Sequence, residues 1–136
     1  MPSRNADTTI GIGATLMLLA VLLGAFGAHT LKTRLTPEML AVYQTGVQYH
    51  LVHALGLMLI GVMCNRQLSD HGGSRLLKFA AVFMGAGIVL FSGSLYALAI
   101  TGMGVLGAVT PLGGVFFMVA WALVAWQMLR RDGLSN

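Results

Sequence analysis

At 136 residues the chain is long enough for one domain and too short for two. Hydrophobic residues make up 57% and charged residues 9%, against roughly 25% charged in an average soluble domain, and the mean hydropathy is +0.81; this is too little charge to cover a water-facing surface, so the surrounding solvent is lipid. The formal net charge of +4 comes from Lys and Arg at the ends of apolar runs, with no basic stripe and no aromatic platform, which excludes nucleic acid as a partner, and the single cysteine, Cys64, excludes an internal disulfide or a multi-cysteine metal site.

After a polar start holding Arg4 and Asp7, the first apolar run covers residues 9–29. At 1.5 Å per residue, about 20 residues cross roughly 30 Å of hydrocarbon. A secretory signal peptide is the rival reading, with Arg4 as its basic end and the small residues of Gly24-Ala25-Phe26-Gly27-Ala28 as a cleavage-like site. The small-residue ridge Ala20, Gly24, Ala28 favours a retained, packed helix, since a discarded peptide has no need of one.

A polar break with Lys32 and Arg34 leads to Thr36-Pro37-Glu38. Thr caps, Pro suits the first helical position, and Glu suits the positive end of a helix. With no breaker before Asn65, one helix is predicted over 37–64, about 42 Å long. It exceeds the hydrocarbon, so its first turns lie outside the core or it tilts. Residues 65–74 form a polar turn, the third span covers 76–100, and a Gly-rich, uncharged loop follows. The fourth span is expected over 110–129, started by Thr110 and Pro111 and closed by Arg130 and Arg131. The fold expected is an all-α, four-transmembrane-helix bundle forming a single domain.

Four spans put both termini on one side, together with Arg4, Arg66, Arg75, Lys78, Arg130 and Arg131, against Lys32 and Arg34 on the other. This asymmetry favours termini that face the cytoplasm. Trp121 and Trp126 then lie toward the inner end of span four, as an aromatic belt or as core.

With that orientation the polar residues of the spans gather in the outer half: His29, then Tyr43, Gln44, Gln48, Tyr49, His50 and His53 on helix two, Ser92, Ser94 and Tyr96 on span three, and Thr110. At 100° per residue, Tyr43, Gly46, His50 and His53 share about 80° of arc, with Tyr49 beside them. Ser92 and Tyr96 share a face of span three, and Ser94 points away. Three readings follow. His50-x-x-His53, with His29 as a third ligand, is an arrangement that suits a metal or haem, although no carboxylate stands near to orient the rings. His29, Tyr43, Gln48, Tyr49, His50, His53, Ser92, Tyr96 and Thr110 together suit a ligand-binding or proton-handling site. Interhelical hydrogen bonding that fixes the bundle is the plain structural reading.

No Asp or Glu lies inside a span, which argues against a carboxylate relay or a cation-coupled carrier. There is no Ser-His-Asp set, Cys64 reads as an apolar filler, and Gly24-x-x-Gly27 follows no strand and is no dinucleotide fingerprint. These absences point away from an enzyme, with no catalytic residues assigned, and toward a non-enzymatic binding, helper or scaffold protein. Its partners would be lipid, further copies of itself, or other membrane proteins. An oligomeric small-solute channel is the remaining alternative.

The stretches GAFGAH (24–29), TGVQYHLVHALGL (45–57), FSGSLYALAITG (91–102) and TPLGG (110–114) resemble the bacterial inner-membrane family called domain of unknown function 423. The resemblance spans most of the chain, with four motifs in order and at matching spacing. It implies a four-helix membrane protein and a retained first helix, and it brings no activity, substrate or cofactor.

Overall fold

Each of the four apolar runs becomes a helical span in the computed structural model, which describes residues 4–66 and 73–132. Helix α1 is Arg4–His29, α2 is Pro37–Arg66, α3 is Gly73–Gly87, α4 is Gly93–Thr101 and α5 is Val105–Asp132. A 3-10 turn, Leu31–Thr33, links α1 to α2, and a π-helical segment, Ile88–Ser92, joins α3 to α4 into one continuous span. All described regular elements are helical. Part of the turn expected over 65–74 (residues 67–72) lies outside the described residues, as do the side chains of Arg4 and Arg131.

The start of α2 follows the expected chemistry. Pro37 is its first residue, and the Met39 N–H donates to Thr36 Oγ1 at 3.3 Å. The helix runs 30 residues, about 45 Å, longer than the hydrocarbon needs. The end of α4 is set by Gly102, whose φ of 70° is left-handed and whose N–H closes on Leu98 O at 2.8 Å.

Helix α5 departs from expectation. It starts at Val105, so Thr110 is no cap and Pro111 lies inside the helix. The turn at Met103 and Gly104 already supplies the first carbonyls, accepting from Leu106 N and Gly107 N at 3.0 Å each. As its seventh residue, Pro111 removes one intrahelical backbone donor, and the helix continues through it, as transmembrane helices allow.

Helix α2 is the hub of the bundle. Along one side it receives α1, and along another the span made of α3, the π segment and α4; α5 packs on that span, while α1 packs chiefly on α2. The α1 seam is a run of small buried residues at intervals of seven, Ala6, Gly13, Ala20 and Gly27. A Cβ on Gly13 would stand 3.1 Å from Ala54 O, and one on Gly61 would stand 3.2 Å from Ala6 O. Seven-residue spacing is the period of a left-handed helix pair, and small side chains let the two backbones close without a hydrophobic driving force. The ridge expected on α1, Ala20, Gly24 and Ala28, is therefore corrected: Ala20 belongs to the seam, Gly24 sits at its edge against Val47, and Ala28 is exposed.

The packing of α5 on the span of α3, the π segment and α4 is built differently. Gly113 of α5 lies so close beneath Phe91 in the π segment that a Cβ would run into the Phe91 backbone. The wider π turn and the bare Gly113 surface fit each other, and Gly87 likewise receives the Phe117 ring, with Cδ1 2.6 Å from a Cβ placed there.

Candidate functional site

The polar stripe on α2 turns inward as its periodicity predicts. Tyr43, Gly46, His50 and His53 are all buried, whereas Gln44, Gln48 and Tyr49 are exposed on their own surface. What each buried side chain does is specific. The Tyr43 hydroxyl donates to Leu23 O of α1 at 2.9 Å. The Tyr96 ring covers Gly46, with Cε1 2.9 Å from where a Cβ would stand. The Tyr96 hydroxyl meets His50 Nδ1 at 3.2 Å, and the Tyr43 and Tyr96 rings pack at 5.0 Å.

The two histidines part company. His50 faces α4 through Tyr96, while His53 faces α5, its ring stacked on Phe117 with centroids 3.5 Å apart. His53 Nδ1 donates to Tyr49 O at 2.7 Å, which fixes its tautomer, because a carbonyl only accepts. Tyr49, Phe91 and Trp121 complete an aromatic cluster around that ring. The sequence reading left Trp121 between belt and core; it lies over Gly56. Phe91 and Phe117 carried no signal beyond hydrophobicity and were missed.

His29 is exposed at the end of α1 and does not join His50 and His53. Among the described residues no three His, Cys, Asp or Glu side chains are placed to share a metal ion. Gln48 lines a shallow cleft of about 160 Å³ with Gly24, Tyr43 and Gln44, apart from the histidines. Thr110 pairs with Ser94, hydroxyl to hydroxyl at 2.8 Å, and Ser94 donates to Phe91 O at 2.9 Å. That pair ties α4 to α5 on the face opposite Ser92. Buried Gln127 stands at the termini end of α5, a polar residue that the outer-half reading overlooked.

Among the described residues, two buried side-chain atoms are left over. His50 Nε2 and Ser92 Oγ have no hydrogen-bond partner, although His50 is 5% and Ser92 1% exposed. Leaving a buried polar group unmade costs about 1–3 kcal/mol, and the great majority of such groups are satisfied. Helical register sets these two at one level of the seam: Gly46 meets Tyr96 and Leu95, Tyr49 stacks on Phe91, and the helices run antiparallel. One turn on from Gly46 is His50, and one turn back from Tyr96 is Ser92. Ser92 also ends the π segment, the kind of helix irregularity found frequently at functional sites.

The profile of the family described as "Protein of unknown function (DUF423)" matches residues 23–114. The chain belongs to this family. All four motifs noted in the sequence fall within the match, including Gly46, His50, Ser92, Tyr96 and Gly113. The chain is 50% identical over 113 residues to the membrane protein YwdK of Bacillus subtilis, covering 83% of this chain and 89% of that one. It is 39% identical over 118 residues to the inner membrane protein YgdD of Escherichia coli, covering 85% and 86%, and 37% identical over 122 residues to a membrane protein of Staphylococcus epidermidis, covering 90% and 95%. No solved structure matches the chain. It is an integral membrane protein with four apolar helices.

Proposed function

We propose that this family member acts by binding rather than by catalysis, as a helper protein of the bacterial plasma membrane that holds a small polar molecule between α2 and the π segment. The observation that carries this reading is the pair of buried, unpartnered atoms His50 Nε2 and Ser92 Oγ. Either tautomer of His50 leaves Nε2 wanting: if the Tyr96 hydroxyl donates to Nδ1, Nε2 carries an unused proton, and if Nδ1 donates, Nε2 offers an unused lone pair. A serine hydroxyl both donates and accepts, so one molecule with a donor and an acceptor satisfies both sides. The rest of the polar stripe is absorbed in holding helices together, which leaves this pair as the site.

The excess of Lys and Arg at the termini end supports cytoplasmic termini, and the name of the Escherichia coli relative supports the inner membrane. The binding pair then lies toward the outer leaflet.

The test compares full-length protein with His50→Ala and Ser92→Ala, each purified in mild detergent. Small polar molecules released on denaturation are quantified by mass spectrometry, alongside elemental analysis and a visible spectrum. The reading expects a near-stoichiometric polar species in the wild type that both variants lose, with no metal or haem band. Identical profiles in all three proteins, or a metal or haem that His50→Ala removes, would contradict it.

A further inference from the structure

Because α1 packs chiefly on α2, it leaves a wedge open between itself and α3. This wedge is a groove of about 350 Å³ at the termini end of the bundle. Its walls are Thr9 and Ile12 of α1 and Lys78, Val82 and Gly85 of α3, and Leu57 of α2 forms its floor. We infer that it is a binding site for one anionic phospholipid, the headgroup phosphate at Lys78 and an acyl chain laid toward Gly85.

The layout of polarity supports this occupant. Lys78 stands about 8 Å into α3 and Gly85 about 18 Å, so the groove passes from a cationic mouth near the membrane surface to an apolar end within the hydrocarbon. That is the order of groups in an amphiphile entering from the leaflet at the termini end. Lys78 is exposed and forms no ion pair with any described acid, so its charge is available to a ligand. Arg75 is exposed one turn before it, and Arg66 and Arg130 are exposed at the same end of their helices, with Asp7 the one described acid with an exposed side chain there. A basic cluster at the membrane surface attracts anionic lipid. The groove is too small for a helix, which is about 10 Å across, and this argues against a second protein chain as the occupant.

Gly85 supplies the decisive variant. A Cβ there meets nothing within 4 Å, so a larger side chain enters the groove without disturbing the bundle. Full-length protein in mild detergent is offered phosphatidylglycerol and phosphatidylethanolamine in equal amounts, and the lipid retained is read by native mass spectrometry. The wild type is expected to retain phosphatidylglycerol several-fold over phosphatidylethanolamine. Lys78→Gln should remove that preference, and Gly85→Leu should lower retention of both lipids at least threefold, with its melting temperature in detergent unchanged. Equal retention of the two lipids by the wild type would overturn the inference. So would phosphatidylglycerol retention untouched by Gly85→Leu, which would place the lipid on the basic surface and not in the groove. Retention of a free fatty acid in place of phosphatidylglycerol would overturn it as well.

Discussion

Helix α2 makes two seams that solve the same problem in opposite ways. Against α1 it meets small residues spaced seven apart, with close backbones and one hydrogen bond from Tyr43 to satisfy its polar atom. Against the π segment it uses rings, a distorted helix and polar side chains, and it ends with two polar atoms unmet. A seam needed only for packing has the first form. The second carries an expense of buried polarity that packing does not require, and the proposed function rests on this difference.

The comparison can be broken most sharply at Gly113. Gly113→Val drives a side chain into the Phe91 backbone, and overpacking of this kind costs about 1–3 kcal/mol and sometimes more. The variant should fall at the top of that range, or fail to accumulate as folded protein, as read by thermal unfolding in detergent. Near-normal stability would mean that α5 does not depend on the π segment for its seat. Gly46→Leu comes next, at about 1–3 kcal/mol, because the Tyr96 ring that covers it is itself held between Tyr43 and His50. An unchanged melting temperature there would turn that face of α2 toward lipid.

Smaller effects separate the two kinds of polar group. Tyr43→Phe removes the hydroxyl's bond to Leu23 O, a carbonyl that keeps its partner within α1, at a cost of about 1 kcal/mol. Ser92→Ala removes a hydroxyl that has no protein partner, so in ligand-stripped protein it should leave the melting temperature unchanged or raise it slightly. If Ser92→Ala destabilised stripped protein as much as Tyr43→Phe, both seams would be equally structural and the contrast between them would vanish.

The parts legible in the sequence are those governed by period and length. Apolar runs long enough to cross a bilayer, the Thr36-Pro37 start, and the inward turn of Tyr43, Gly46, His50 and His53 all follow from local rules, and the helices obey them. The α1 ridge was half legible: small residues were visible, but both a four-residue and a seven-residue spacing fit them, and only the partner helix decides. The start of α5 was misplaced because Pro111 stands inside the helix, in its second turn, as transmembrane helices tolerate, and does not open it. The π segment left no mark, since Ile88–Ser92 holds no proline or glycine and its distortion answers to Gly113, twenty-one residues beyond Ser92. The histidines show the same limit. One face of one helix carries both, yet His53 bonds back to Tyr49 of α2 itself and stacks on Phe117 of α5, while His50 meets Tyr96 of α4 and keeps one nitrogen open.

The most direct measurement is an experimental density map of the full chain, purified without harsh delipidation, at a resolution that shows ordered small molecules. The account predicts non-protein density bridging His50 Nε2 and Ser92 Oγ beside an intact π turn. A continuous α-helix through residues 88–92, or His50 and Ser92 bonded to each other or to backbone with nothing between them, would contradict it.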